Sequence, residues 1–219
     1  MAFGNGYPGL VSPKGTAAYD GVADLPPLVE RAVSMARQDG FDNSCRPEHG
    51  RLLLALAAGA DAIGETGTGY GVGLAWLASG ARPGTRIVSV ERDATRARQA
   101  AELFSGLPQV TVIHADWHAI FPVGPFELLV LDGGARKGGA GKNAGAAADP
   151  ALLVRPGGIV VIDDLTPARH WPPQFEGEVD EVRAHWLGHP GFDAAELRLA
   201  PDLAALVATR RFPPQQAQA

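Results

Sequence analysis

What most limits the fold of this chain is an alternation of short apolar runs, each stopping on a polar or acidic residue, with stretches of helical spacing. The runs are Ala60–Glu65, Arg86–Glu91, Val110–His114, Glu127–Asp132 and Ile159–Asp163. Four are nearly continuous in hydrophobic residues, which suits strands covered on both faces in a parallel sheet. The spacing predicts intervening helices at Tyr70–Ser79, Asp93–Ser105, Ala146–Val154 and Glu176–Gly188. Two helices come earlier. Pro26-Pro27 opens one with Leu28, Val29, Ala32, Val33 and Ala36 at helical spacing, and a second spans Pro47 to Ala58. Two final strands, Ala195–Leu199 and Leu203–Thr209, meet at Ala200-Pro201-Asp202, a tight hairpin that makes the pair antiparallel.

Strand and helix in turn imply an α/β fold, a doubly wound Rossmann-like sheet, mostly parallel with one antiparallel strand from the C-terminal hairpin. A single domain is expected over 1–219, with a helical cap at 1–58, a core at 59–212 and a tail at 213–219 that frays. Hydrophobic residues make up 46% and charged residues 20%, enough apolar side chain for one sizeable core. The net charge of −5 opposes non-specific binding to nucleic acid and to acidic membrane surfaces. Cys45 is the only cysteine, so the fold does not depend on an internal disulfide. The start reads as no signal peptide, and the apolar stretch from Leu52 to Ala60 is far shorter than the ~20 residues of a membrane span. A cytoplasmic location is expected.

In sheets of this kind, ligands bind beyond the carboxyl ends of the strands. Those endings are unusually acidic here: Glu65, Glu91, Asp132 and Asp163-Asp164, with His114 to Trp117 beside them. Between the first sheet strand and its helix lies Glu65-Thr66-Gly67-Thr68-Gly69-Tyr70-Gly71-Val72-Gly73. Its glycines permit a tight turn and close approach to a ligand, and Glu91 could accept hydrogen bonds from two ribose hydroxyls. A dinucleotide fingerprint begun at Gly67 would need a third glycine where Val72 stands. The only Gly-Lys pair, Gly141-Lys142, is followed by Asn143 and makes no P-loop. An acidic residue opening the loop would repel a pyrophosphate but could bind, through the loop or water, the ammonium of an amino-acid-like ligand. S-adenosylmethionine combines ribose, adenine and an amino-acid end.

The series IGETGTGYGVGLAWLA, IVSVERDATRARQA, VTVIHADW, FELLVLDGG and LLVRPGGIVVIDDLTP, from about Pro47 to Pro167, resembles the class I S-adenosylmethionine-dependent methyltransferases. More narrowly, it resembles the catechol and caffeoyl-coenzyme A O-methyltransferase-like family. The resemblance implies a seven-stranded sheet and a cofactor site of Glu65, Gly67, Thr68, Gly69, Glu91, Arg92, Asp116, Trp117 and Asp132. Of these, Glu65, Gly67 and Gly69 would line the methionine end, Glu91 would hold the ribose, and Asp116 with Trp117 would meet the adenine. The helical cap and the resemblance also suggest a homodimer.

Asp132, Asp163 and Asp164 would converge at one sheet edge, where like charges repel unless a cation lies among them. Oxygen donors of this type suit Mg²⁺, Ca²⁺ or Mn²⁺. The resembled family holds a divalent cation there with an Asp-Asn pair on the fifth strand; this chain has Asp164 where the Asn is usual. The alternative is that Asp164 caps the following turn and Asp132 touches only the cofactor. A cation coordinating adjacent hydroxyls would activate the acceptor. The family's lysine base, three residues beyond the Asp, falls on Ala135, so Lys137 is the substitute candidate. The Gly/Ala-rich stretch 133–148 reads as an active-site flap or an inert insertion.

The expected activity is methyl transfer to a small hydroxylated, catechol-like acceptor. The alternatives are metal-independent methylation, a binding protein without catalysis, and methylation of hydroxylated uridine in transfer RNA, which the acidic balance disfavours. His185 and His189, spaced i, i+4, read as structural for want of a third ligand. His49, His114 and His118 have no partner visible in sequence, and Cys45 reads as an incidental thiol. Arg92 to Arg98 reads as a solvated helix face, and Trp171 as a packed rather than a stacking aromatic.

Overall fold

The computed structural model describes residues 15–132, 150–175 and 177–213. A 3-10 turn, Gly15–Tyr19, precedes α1 (Pro27–Gln38) and α2 (Pro47–Ala57). The core then runs β1 (Ala62–Thr66), α3 (Val72–Gly80), β2 (Arg86–Glu91), α4 (Ala94–Leu103), β3 (Val110–His114), a 3-10 turn Trp117–Val123, and β4 (Phe126–Leu131). It continues with α5 (Pro150–Leu153), β5 (Val154–Leu165), the short strands β6 (Gln174–Phe175) and β7 (Glu178–Val179), α6 (Glu181–Leu187), β8 (Phe192–Ala200) and β9 (Leu203–Arg210).

Seven strands form one sheet in the order β3-β2-β1-β4-β5-β9-β8. The pairs from β3 to β5 are parallel, and β9 runs antiparallel to both β5 and β8. The expected architecture is therefore the observed one. The central strand β4 is almost wholly apolar because each face of the sheet meets a separate apolar layer. Leu128 and Val130 join α1, α2 and α3 on one side, whereas Leu129 and Leu131 join Trp186 and Phe192 on the other. This is the period-2 alternation of a strand buried on both faces.

Local chemistry sets the helix starts. Asp93 caps α4 by accepting from Thr95 N and Arg96 N, both at 2.9 Å, and Asp180 caps α6 by accepting from Arg183 N at 3.0 Å. That second cap explains why α6 begins at Glu181 and not, as the spacing predicts, at 176. The preceding residues form the β6–β7 pair, closed by Asp180 N donating to the Pro173 carbonyl at 2.8 Å. The helix predicted from Ala146 lies outside the described residues before Pro150, and Val154 already pairs with Phe126 as the start of β5. Of the expected tail, 214–219 lie outside the described residues.

Two buried contacts fix the layers beside the sheet. Helices α2 and α3 meet at Gly50, where a Cβ would lie 2.1 Å from Trp76 Nε1. The Trp76 indole donates to the Tyr19 hydroxyl at 2.9 Å, which donates to the Cys45 carbonyl at 2.8 Å and so holds the loop between α1 and α2. On the other side, Arg183 lies under the sheet with Nη1 2.9 Å from Glu196, Nε 3.3 Å from Asp180, and Nη2 donating to the Thr166 carbonyl at 2.8 Å. It ties the segment after β5 to α6 and β8. Among the described residues, no helix is long and apolar enough to cross a membrane.

Candidate functional site

A cavity of about 630 Å³ opens at the carboxyl ends of β1, β2, β4 and β5. Glu65, Gly67, Thr68, Gly69, Glu91, Arg92, Asp116, Trp117, Asp132 and Asp163 all line it, so the topology brings these predicted site residues together. Lys137 and the Gly/Ala-rich stretch lie outside the described residues, as does the side chain of Asp164.

The glycine loop threads between the ends of β2 and β4. Gly67 has φ of 86° and donates to the Val90 carbonyl at 2.8 Å; a Cβ on it would lie 3.1 Å from the Asp132 carbonyl oxygen. Glycine is thus required twice over, for the left-handed backbone and for the close approach. Thr66 Oγ1 donates to that same carbonyl at 2.6 Å, closing β1 onto β4.

Glu65 is buried at 3% exposure. Its Oε2 accepts from Ser89 Oγ at 2.5 Å, and Ser89 also meets the Thr68 hydroxyl at 2.5 Å. Burial pushes the Glu65 carboxyl up to about 8, the Ser89 hydrogen bond opposes this, and the charges of Asp163 and Glu91 add to it. Without a cation beside it, Glu65 holds its proton near neutrality.

Glu91, also buried, is held by three donors: Gly69 N to Oε2 at 2.8 Å, and Asp93 N at 2.8 Å and Arg96 Nη2 at 2.9 Å to Oε1. The Arg96 guanidinium lies 5.6 Å from the centre of the Phe41 ring, a cation–π contact that ties α4 to the loop before α2. Arg92 and Arg96 both line the cavity, so this stretch is more than the solvated helix face read from sequence. Asp116 caps the turn that follows it, accepting from His118 N at 3.2 Å and pairing with the His118 ring, which holds its carboxyl below the ordinary range. Trp117 stacks on His118 with ring centres 3.8 Å apart.

Residues 65–165 match a family model described as a methyltransferase domain. The chain has the fold of the class I methyltransferases. Among curated proteins, none matches it by sequence. Solved structures do. An O-methyltransferase from Bacillus cereus in complex with S-adenosylhomocysteine is 19% identical, with 89% of this chain and 95% of that one covered and a TM-score of 0.68. The O-methyltransferase TomG from Streptomyces achromogenes, involved in tomaymycin synthesis and bound to S-adenosylmethionine, is 20% identical over 89% and 94%, with a TM-score of 0.66. A Podospora anserina methyltransferase bound to S-adenosylhomocysteine is 18% identical over 89% and 92%, with a TM-score of 0.65. At these identities the likeness is one of fold.

The structure departs from expectation on the side of the cavity facing β4 and β5. Asp132 and Asp163 both line the cavity, but Asp163 Oδ2 lies 3.3 Å from Nδ1 of His49, and both side chains are buried. Among the described residues, no three His, Cys, Asp or Glu side chains gather as a set that could hold a metal ion. One oxygen of Asp163 thus meets an imidazole from α2, and the side chain of Asp164, the third expected ligand, lies outside the described residues. The sequence brings His49 forward as a histidine that could approach the site but shows no partner for it; it falls on the buried stripe of α2 with Gly50, Leu53 and Ala57, where a polar side chain needs a reason.

Cys45 lines the cavity, yet burial pushes its thiol well above the usual range, which leaves it a poor nucleophile. His185 and His189 stand edge-on with ring centres 5.3 Å apart and pack against Trp186 and Phe192. Trp171 is 79% exposed, which corrects its assignment to the core.

Proposed function

We propose that the chain transfers the methyl group of S-adenosylmethionine to a hydroxyl of a small acceptor. The observation that carries this reading is the pair Glu65 and Glu91. They end adjacent parallel strands, are both buried, and face one cavity across a loop whose Gly67, Gly69 and Gly71 have positive φ. Buried carboxylates at both ends of such a loop disfavour a phosphate and favour an amino group at one end and ribose hydroxyls at the other.

When bound, S-adenosylmethionine supplies a methyl group on a positively charged sulfur, already carrying its leaving group. The protein's task is then positioning and water exclusion. Glu65 sits where an ammonium group would let it ionise. Glu91, fixed by Gly69 N, Asp93 N and Arg96, offers its remaining acceptor capacity to a diol. Phe41 and Tyr70, with ring centres 5.1 Å apart, wall the cavity beside the loop. The acceptor would enter on the side of Asp132 and Asp163.

Titration calorimetry with S-adenosylhomocysteine, followed by labelled S-adenosylmethionine with catechol as acceptor, tests this reading. Binding and transfer are expected. A protein that binds no S-adenosylhomocysteine would sink it.

A further inference from the structure

We propose that His118 sets base selectivity at the cofactor site, turning Asp116 so that one carboxylate oxygen is presented to the 6-amino group of adenine. This rests on the methyl-transfer reading above and names the residue that positions its nucleobase contact.

Strand order lays out the ligand. Along the carboxyl edge of the sheet, Glu65 ends β1, Glu91 ends the neighbouring β2, and Asp116 follows β3, on the far side of β2, by two residues. All three line one cavity. With the amino group at Glu65 and the ribose at Glu91, the base comes to the end of β3, one strand spacing of about 5 Å further on. Trp117 lines the cavity there beside Asp116. A carboxylate only accepts hydrogen bonds, and the 6-amino group holds the only N–H donors of a ribose-linked adenine.

A carboxylate that reads a base has to be held still. The Asp116 side chain is 51% exposed, so packing does not fix its rotation. His118 does so through two bonds to one oxygen: its backbone N donates to Oδ1 at 3.2 Å, and its ring Nδ1 meets the same Oδ1. Because a carboxylate only accepts, the proton of the second bond sits on Nδ1. Both bonds end on Oδ1, and Oδ2 is the oxygen left for the base.

The imidazole is fixed in its turn. It stacks on Trp117 with ring centres 3.8 Å apart, and its plane lies within 18° of the Phe121 ring, 6.2 Å away. One histidine thus joins the flat wall of the base pocket to its acceptor. His118 does not itself line the cavity, so it is a positioning residue, and Asp116 and Trp117 are the groups that touch the base.

The two jobs of the ring can be separated. His118→Phe keeps a ring on Trp117 and loses the donor, whereas His118→Asn keeps an N–H near the place of Nδ1 and loses the stack. The side chain is exposed, so both variants should melt close to wild type. Titration calorimetry compares S-adenosylhomocysteine with the analogue that bears hydrogen in place of the adenine 6-amino group. Wild type is expected to prefer S-adenosylhomocysteine about 10- to 100-fold, the scale of a hydrogen bond to a charged group. In His118→Phe that preference should fall about fivefold or more, and in His118→Asn it should stay within about twofold of wild type. Asp116→Ala should abolish it. A preference kept in His118→Phe or lost in His118→Asn would overturn the inference, and so would a wild type that binds both ligands equally; these results leave the cofactor reading standing. Failure of wild type to bind S-adenosylhomocysteine removes both.

Discussion

Ser89 stands directly opposite Glu65 on the neighbouring strand and donates its hydroxyl to the Glu65 carboxyl at 2.5 Å. The bond lets a carboxyl that is 3% exposed survive at the head of the glycine loop.

Its proton should couple to ligand binding. Burial raises the folded-state value of Glu65 to about 8 from an ordinary 4.5. A raised acid binds its proton more tightly in the folded chain, so its contribution to stability is complete below the unfolded value and is lost as pH climbs toward 8. A ligand ammonium favours the ionised form. Affinity for S-adenosylhomocysteine should therefore rise with pH by up to about tenfold per unit below that value, with proton release on binding. Calorimetry in buffers of different ionisation enthalpy measures the release, and Glu65→Gln should abolish that component.

Glu91 carries a heavier structural load. Glu91→Ala should weaken S-adenosylhomocysteine binding about 10- to 100-fold, the scale of one or two hydrogen bonds to a charged group. Gly69 N and Arg96 also lose their acceptor. Arg96→Ala should cost less, since Gly69 N and Asp93 N still hold the carboxylate. Titration of each variant against wild type decides the order.

Gly50→Ala should destabilise the fold by about 1–3 kcal/mol in urea unfolding, because a single methyl would overlap the Trp76 ring, itself 3% exposed. The same change should shift near-ultraviolet dichroism, as the indole must move off the Tyr19 hydroxyl.

Arg183→Met is predicted to lower stability by about 3–5 kcal/mol, since it leaves Glu196 and Asp180 without their shared cation beneath the sheet. Paired removal, Arg183→Met with Glu196→Leu, should recover part of that. Chemical denaturation of the single and double variants tests the coupling.

The sheet was legible because its strands are buried on both faces: β2 and β3 match their expected bounds, and the hairpin at Pro201-Asp202 announced the antiparallel strand. The cofactor side was legible for a similar reason, since strand ends and a glycine loop lie at fixed places along the chain. The Asp163 side was not. Its partner, His49, lies more than a hundred residues away on a helix whose rotation against the sheet decides what the carboxylate meets. Likewise, the hold of Ser89 on Glu65 follows from parallel register, which no local pattern encodes. The start of α6 was misplaced because the Asp180 cap and the short β6–β7 pair override helical spacing.

Strand β9, made after every other strand, fills an interior slot between β5 and β8. During synthesis the outer edge of β5 therefore stays bare until β9 arrives, whereas β1 to β4 can assemble beforehand. The wall bearing Asp163 would then be the last to set, and a nascent chain could shape its nucleotide pocket before its acceptor side. Destabilising the β8–β9 hairpin should accordingly impair methyl transfer before it impairs cofactor capture.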